Sequence, residues 1–202
     1  MKGQPNSEVY KAKKAKLQEL MELEDKQAID LFFTDETGFN LVPCIPYGWQ
    51  PIGEQRTIRS DKNRVCNFYG LLSRKGKLKV YSTSKSINSD FIISCIDEIA
   101  EESEKTGKPI VLVLDNAPWH VSEKIQMKEA EWIDKNLYLF YLPTYSPQLN
   151  LIETLWRKIK YEWLKAEDYL SAQALKNALY YIITNYNDVF SINLSKNFFK
   201  SI

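Results

Sequence analysis

The sequence predicts an α/β fold, a single mixed sheet with helices packed on both faces. Three observations predict it. A meander of three short strands comes early in the chain. Two apolar runs follow, IVLVL at 110–114 and LYLFYL at 137–142, each preceded by an amphipathic helical stretch. The resulting order is helix, three strands, helix, strand, helix, strand, helices. Its strand–helix–strand units are those that build parallel pairs covered by helices.

Each element has its own signal. Over 8–29, Val9, Leu17, Leu20, Met21, Leu23 and Ile29 recur at helical spacing, and Lys11, Lys13, Lys14 and Lys16 give that helix a solvated basic start. LFFTDETGFNLV reads as a strand, with Thr37-Gly38 as a turn signal. PYGWQPIGE at 46–54 is a Pro- and Gly-rich loop. RVCNFYGLLSR and KLKVYSTS are strands joined by Lys75-Gly76, as in a hairpin. A helix follows, capped by Ser89 or Asp90, with apolar residues at 91, 92, 95, 96 and 99 and Gly107 at its end. The unbroken run IVLVL and the run LYLFYLP both predict strands buried on two faces. Further helices are expected at 122–135, with Ser122 as cap, at 150–166 and at 171–187.

Composition narrows the function. With 44% hydrophobic and 13% aromatic residues and a net charge of +1, the 202-residue chain collapses rather than remaining disordered. A nucleic-acid partner has to be argued from local patches, not from total charge. Cys44, Cys66 and Cys95 form no C-x-x-C pair and read as small buried hydrophobes. With His120 as the one histidine, they exclude a disulfide framework and the common zinc sites. Neither a signal peptide nor an apolar run near the ~20 residues of a membrane span is visible, so a soluble, cytoplasmic protein is expected.

The acids fall in telling places. Asp35 interrupts an apolar strand, Asp115 ends the most apolar one, and Glu153 lies in the first turn of an amphipathic helix. Ligands of open α/β sheets gather at the carboxyl ends of strands. If the strands of Asp35 and Asp115 are neighbours, the helix of Glu153 can bring a third carboxylate. Three such groups neutralise by shifted pKa unless a hard cation, Mg²⁺ or Mn²⁺, sits among them. Two such ions ~3.5–4 Å apart suit phosphoryl transfer. Each acid also has a plain structural reading. Asp35 could open an Asx-type turn, Asp115 could cap the turn of Asn116-Ala117-Pro118, and Glu153 could close a capping box with Asn150 at the N-cap.

Taken together, FFTDETGF, GWQPIG, VLVLDNAPWH and LPTYSPQLNLIETLWRKIK resemble the DDE transposases of the mariner superfamily, in its bacterial insertion-sequence branch. The resemblance runs from about residue 29 to about residue 165, and departs at Leu151, where relatives often carry Pro. It implies a ribonuclease H-like fold and a DDE triad of Asp35, Asp115 and Glu153 as catalytic residues and ligands of two Mg²⁺ or Mn²⁺ ions. It also puts His120 near the active site, either contacting the scissile phosphate or bracing its loop. Asn116 either orients a metal-bound water or forms the turn.

Arg157 and Lys160 lie at i+4 and i+7 from Glu153, beside an apolar stripe of Ile152, Leu155, Trp156, Ile159 and Trp163. They are candidates for phosphate contacts, or for a simple helix pair. Arg56, Arg59, Lys62 and Arg64, beside Trp49, suit DNA backbone contacts with stacking on a base, or else a solvated hairpin edge. Trp119, Trp132, Trp156 and Trp163 read as core. The expected organisation is an N-terminal linker helix at 1–28 and a catalytic domain at 29–202. The implied activity is metal-dependent cleavage and strand transfer of double-stranded DNA at element ends and target. Two ends make a homodimer mechanistically sensible. Relatives carry a helix-turn-helix recognition module ahead of the catalytic domain, which is expected to be missing from this chain. Two alternatives stay open, a ribonuclease H-like nuclease without strand transfer and a non-catalytic DNA-binding or assembly module.

Overall fold

Among the described residues, five strands and five helices appear in the predicted order. A computed structural model describes residues 7–44, 52–53, 61–62, 64–118 and 120–193. Helix α1 spans Ser7–Asp25, strand β1 Asp30–Asn40, β2 Arg64–Leu72 and β3 Leu78–Thr83. Then come α2 at Ser89–Thr106, β4 at Ile110–Leu114, α3 at Glu123–Asp134 and β5 at Leu137–Tyr141. Helix α4, Ile152–Lys158, continues into a π-helical turn over Ile159–Trp163, and α5 covers Ala172–Thr184. The sheet order is β3-β2-β1-β4-β5. The β3-β2-β1 part is antiparallel, and β4 and β5 add in parallel to β1.

The two faces follow from the period of two along a strand. Leu31 and Phe33 of β1, with Val111 and Val113 of β4, face a core shared with α1, α4 and α5. Phe32, Leu112 and Leu114 face the other core, against α2 and α3. The helix at the start docks rather than hanging free. Leu17 of α1 is 1% exposed, and Arg74 Nη1 donates to Met21 O at 3.0 Å and to buried Glu24 at 3.1 Å. Val9 and Leu23, expected on the apolar stripe, remain exposed. No described helix is long and apolar enough to cross a membrane.

Several local expectations give way to tertiary pairing. Thr37-Gly38 makes no turn, because β1 stays paired with β2 from Phe33↔Leu72 to Asn40↔Arg64. The Asx-turn reading of Asp35 falls with it. Asn88, not Ser89 or Asp90, caps α2, its Oδ1 accepting from Phe91 N at 3.0 Å. Ser122 occupies the N-cap of α3, but its hydroxyl donates to Ser89 Oγ instead of capping. β5 is an edge strand with Tyr138 39% exposed, not a strand buried on both faces. Cys66 and Cys95 are buried as expected, whereas Cys44 is half-buried.

One glycine sets how closely α4 approaches the sheet. Gly70 of β2 pairs with Asp35 of β1. A Cβ built there would lie 2.6 Å from Trp156 Cζ2 and 2.8 Å from Ile152 Cδ1. The indole therefore rests on bare backbone, and α4, with Glu153 in its first turn, is seated one side-chain layer closer. Gly70→Ala should overpack this contact and destabilise the fold by about 1–3 kcal/mol. Urea denaturation checks this, and an unchanged midpoint would show that α4 can slide without cost.

Candidate active site

The parallel register of β1 and β4 brings two acids level. Asp30 pairs with Ile110 and Phe33 with Val113, and the same offset carried two residues on sets Asp35 beside Asp115. Asp35 follows Leu31 and Phe33 in the alternation, so it belongs to the face covered by α4. There Glu153 comes close enough to be felt. Burial first, then the charges of Glu153, Glu36 and Asp115, push the Asp35 carboxyl well above the usual range. Glu153 is raised as well, chiefly by burial and further by Asp115, while Lys160 and Arg157 pull it down.

Asp115 behaves differently. Burial acts to raise its carboxyl, but hydrogen bonds from His120 and from Ala117 N–H outweigh it and hold Asp115 below the usual range. The Ala117 N–H lies 2.9 Å from Asp115 Oδ1, so the expected turn after β4 exists alongside the acid's place in the cluster. His120 is fully buried, with Nδ1 2.8 Å from Asp115 Oδ1 and Nε2 2.7 Å from Glu36 Oε1. Two carboxylates can both accept from the ring only if both nitrogens carry protons. Burial opposes that charge, but the two acids prevail and lift His120 to about 9. The imidazolium thus braces Asp115 against β1. Glu36, one residue past Asp35 and on the opposite face, was not singled out from the sequence. A Glu two residues from a Gly in a strand has no local signal of a partner 84 positions away.

Asn116 donates through Nδ2 to Leu142 O, tying the end of β4 to the end of β5. Asn150 does not cap α4, and the expected capping box with Glu153 is absent. Its Nδ2 donates instead to Thr34 O at 2.9 Å, beside Asp35, while Thr34 Oγ1 donates to Val113 O at 3.3 Å. Asn150 Oδ1 is buried with no hydrogen-bond partner among the described residues. The apolar stripe of α4 is buried as predicted at Ile152, Leu155, Trp156 and Ile159, with Trp163 half-buried against Phe190 and Tyr186. Trp132 is buried as well. Arg157 is exposed, and Lys160 lies over the Phe39 ring at 5.3 Å.

Two clefts of about 390 Å³ meet at Asp115 and Ala117. One runs past Asn116, Tyr145, Asn150 and Glu153. The other runs past Asp35, Glu36, Arg64 and Asn67, where Arg64 Nη1 donates to Asn67 Oδ1 at 2.6 Å. Lys62 is exposed. Arg56, Arg59, Trp49 and Trp119 lie outside the described residues. Among the described residues no three Asp, Glu, His or Cys side chains close into a ready-made metal cage. Uncompensated carboxylates do not draw together by themselves. The donor chemistry of the cluster, carboxylate oxygens, is nonetheless that of a hard divalent ion.

Comparison with known proteins fits this picture. Residues 30–176 match the family model described as DDE superfamily endonuclease. The "Insertion element IS630 uncharacterized 39 kDa protein" of Shigella sonnei is 32% identical over 134 residues, covering 64% of this chain. This chain spans only 37% of that relative's length. The Mos1 transposase paired-end complex with left transposon end superposes with a TM-score of 0.58 at 13% identity, over 99% of this chain and 60% of that one. The Mos1 mariner paired end complex with Mn gives 0.51 at 12% identity, over 94% and 66%. These likenesses show the fold, a ribonuclease H-like mixed sheet with flanking helices.

The clamp on His120 has a measurable sign. Its folded pKa lies above the unfolded 6.5, so its stabilisation is fully present below pH 6.5 and is lost as pH rises through about 9. A difference of that size is worth roughly 3 kcal/mol. In metal-free buffer the urea midpoint should fall across this window, and His120→Gln should flatten the fall. A wild-type midpoint that does not change between pH 6.5 and 9 would mean the ring is not held as a cation.

Proposed function

Because this chain belongs to the DDE superfamily endonuclease family, we propose that it is the catalytic domain of a DNA transposase, cleaving and transferring strands of a mobile element. The observation that carries the reading is the convergence of Asp35 and Glu153 on Asp115, which lines both clefts and raises the carboxyls of both. In this reading residues 29–202 are the catalytic domain and residues 1–28 a linker helix. Double-stranded DNA, as element ends and target, is the substrate, and a homodimer serves two ends.

Asp35, Asp115 and Glu153 would hold two Mg²⁺ or Mn²⁺ ions. When bound, such ions neutralise charge on the phosphate and activate the attacking oxygen. The acids supply what that chemistry needs. Burial and neighbouring carboxylates raise both Asp35 and Glu153, so a cation bound there would displace their protons and remove the repulsion among them. His120 holds one oxygen of Asp115 and fixes the orientation of the other. Arg157 and Lys160, whose charges reach Glu153, and Arg64, which lines the cleft of Asp35, place cations near the acids for DNA phosphates. Water attacks phosphorus first and the strand leaves as a 3′-hydroxyl. That hydroxyl then attacks a target phosphate, joining the strands as the target's own P–O3′ bond breaks and its 3′-hydroxyl leaves. The protein's part is positioning and charge compensation.

Asp115→Ala should lower Mn²⁺-dependent cleavage of an end-bearing duplex by roughly a thousandfold or more, and an unaffected rate would refute the reading. Mn²⁺ titration calorimetry should show proton release, with affinity rising with pH, because Asp35 and Glu153 must lose protons to bind. Arg157→Ala or Lys160→Ala should weaken DNA binding regardless of sequence. Each should also reduce the slope of log K against log salt by about 1.

A further inference from the structure

The cleft beside Glu153 carries two features that neither the fold nor the acids explain. The first is Tyr145. Its backbone sits at φ 57, in the left-handed region. The other described non-glycine residues with positive φ are Gln27, Asn136 and Asn187. Asn tolerates this conformation through local hydrogen bonding, but an aromatic residue gains nothing from it. The ring does not repay the strain by packing, because Tyr145 is 68% exposed. Instead it lines the cleft shared with Asp115 and Glu153.

The loop that bears it is firmly held. Pro143 and Pro147 flank it, Leu142 N donates to Leu114 O at 2.8 Å, and Asn116 secures Leu142 O. Buried Ser146 donates through Oγ to Thr144 O at 3.2 Å, and its own carbonyl accepts from Leu149 N at 3.0 Å. A strained backbone fixed from both sides, displaying an exposed aromatic, is a pattern found where a side chain must be presented. The second feature is Asn150, 3% exposed and lining the same cleft. Thr34 O takes its Nδ2 and so fixes the amide, leaving Oδ1 as an acceptor without a partner among the described residues. Buried acceptors of this kind are costly unless something donates to them.

The geometry points to this cleft as a nucleobase subsite. Tyr145 stacks on a base unstacked next to the scissile phosphate, and Asn150 Oδ1 accepts from an N–H of that base. The inference rests on the phosphoryl-transfer reading and names what lies beside the reacting bond. A flat ring with two rotatable bonds is well suited to the task, since stacking tolerates every base and costs little side-chain entropy. An N–H donor is available on the edge of each of the four bases.

The test pairs a side chain with a base. The full chain is titrated, in Ca²⁺ without Mg²⁺ or Mn²⁺, with an end-bearing oligonucleotide and with the same strand made abasic beside the cleavage position. Tyr145→Ala should weaken binding to the intact strand roughly tenfold. It should cost nothing further on the abasic strand, and Tyr145→Trp should restore affinity. Tyr145→Gly relieves the backbone, so it should melt a few degrees above wild type while binding the intact strand as weakly as the alanine variant. Equal affinity of wild type and Tyr145→Ala for the intact strand overturns the subsite and leaves the transposase reading standing. So do losses from the two changes that simply add. Failure of the wild-type chain to bind or cleave any DNA overturns both.

Discussion

Charge balance at the carboxyl end of β1 and β4 governs everything around it. Four carboxylates, Asp35, Glu36, Asp115 and Glu153, crowd a region that the sheet makes partly dry. In such surroundings each carboxylate must find a counter-charge or be neutralised by taking up a proton. The fold answers half of the problem internally. One imidazolium, buried between Asp115 and Glu36, satisfies two of the acids with two hydrogen bonds. Lys160 and Arg157 offset Glu153 only in part, and the main influences on Asp35 are burial and other carboxylates. The deficit is therefore localised on Asp35 and Glu153, on the α4 side of the sheet. That asymmetry suits the divalent-cation site proposed above, in which one acid is pre-oriented by the protein and a bound cation would compensate the others.

The same strand supplies both halves of that arrangement. Because side chains alternate, Asp35 and Glu36 leave β1 on opposite faces. Asp35 joins α4, and Glu36 joins the loop that carries His120. A shift of one residue in the β1–β4 register would exchange the two and undo both the clamp and the carboxylate cluster. The pairing of Phe32 with Leu112, each in the α2 and α3 core, and of Phe33 with Val113, each in the opposite core, holds the register by burial on two faces at once. Hydrophobic packing several residues away thus determines where the charges stand.

Much of this was legible in the sequence, and the exceptions share a cause. IVLVL announces a buried strand, and an acid at its end is conspicuous. So are the stripe of α4 and the hairpin around Gly76, which has φ 81. The readings that failed were local chemistry overruled by distant partners. Thr37-Gly38 has turn composition, yet β2 pairs with every residue from Phe33 to Asn40 and keeps the strand extended. Asn150 has the composition of an N-cap, yet its amide is turned to Thr34 O, to which Nδ2 donates, and its Oδ1 caps nothing among the described residues. Glu36 looks like any strand acid until His120 is seen between it and Asp115. Asp35 and Asp115 stand out because one interrupts and the other ends an apolar run, and Glu153 because it lies in the first turn of an amphipathic helix. Their spacing along the chain says nothing of the clamp.

Gly70 joins stability to geometry at this site. It is the β2 partner of Asp35, and its missing side chain is filled by Trp156, three residues on from Glu153. The antiparallel register of β1 with β2 therefore places an opening directly across from the acid that needs α4 close. The parallel register of β1 with β4 levels Asp115 on the other side. β1 is the one strand flanked by both kinds of pairing in the order β3-β2-β1-β4-β5. A change in either neighbour displaces a different carboxylate. On the β2 side it lifts Glu153 away by way of Trp156, and on the β4 side it draws Asp115 and its histidine out of line. The central strand is the common reference for all three acids, and its two registers, more than any single contact, make the cluster possible.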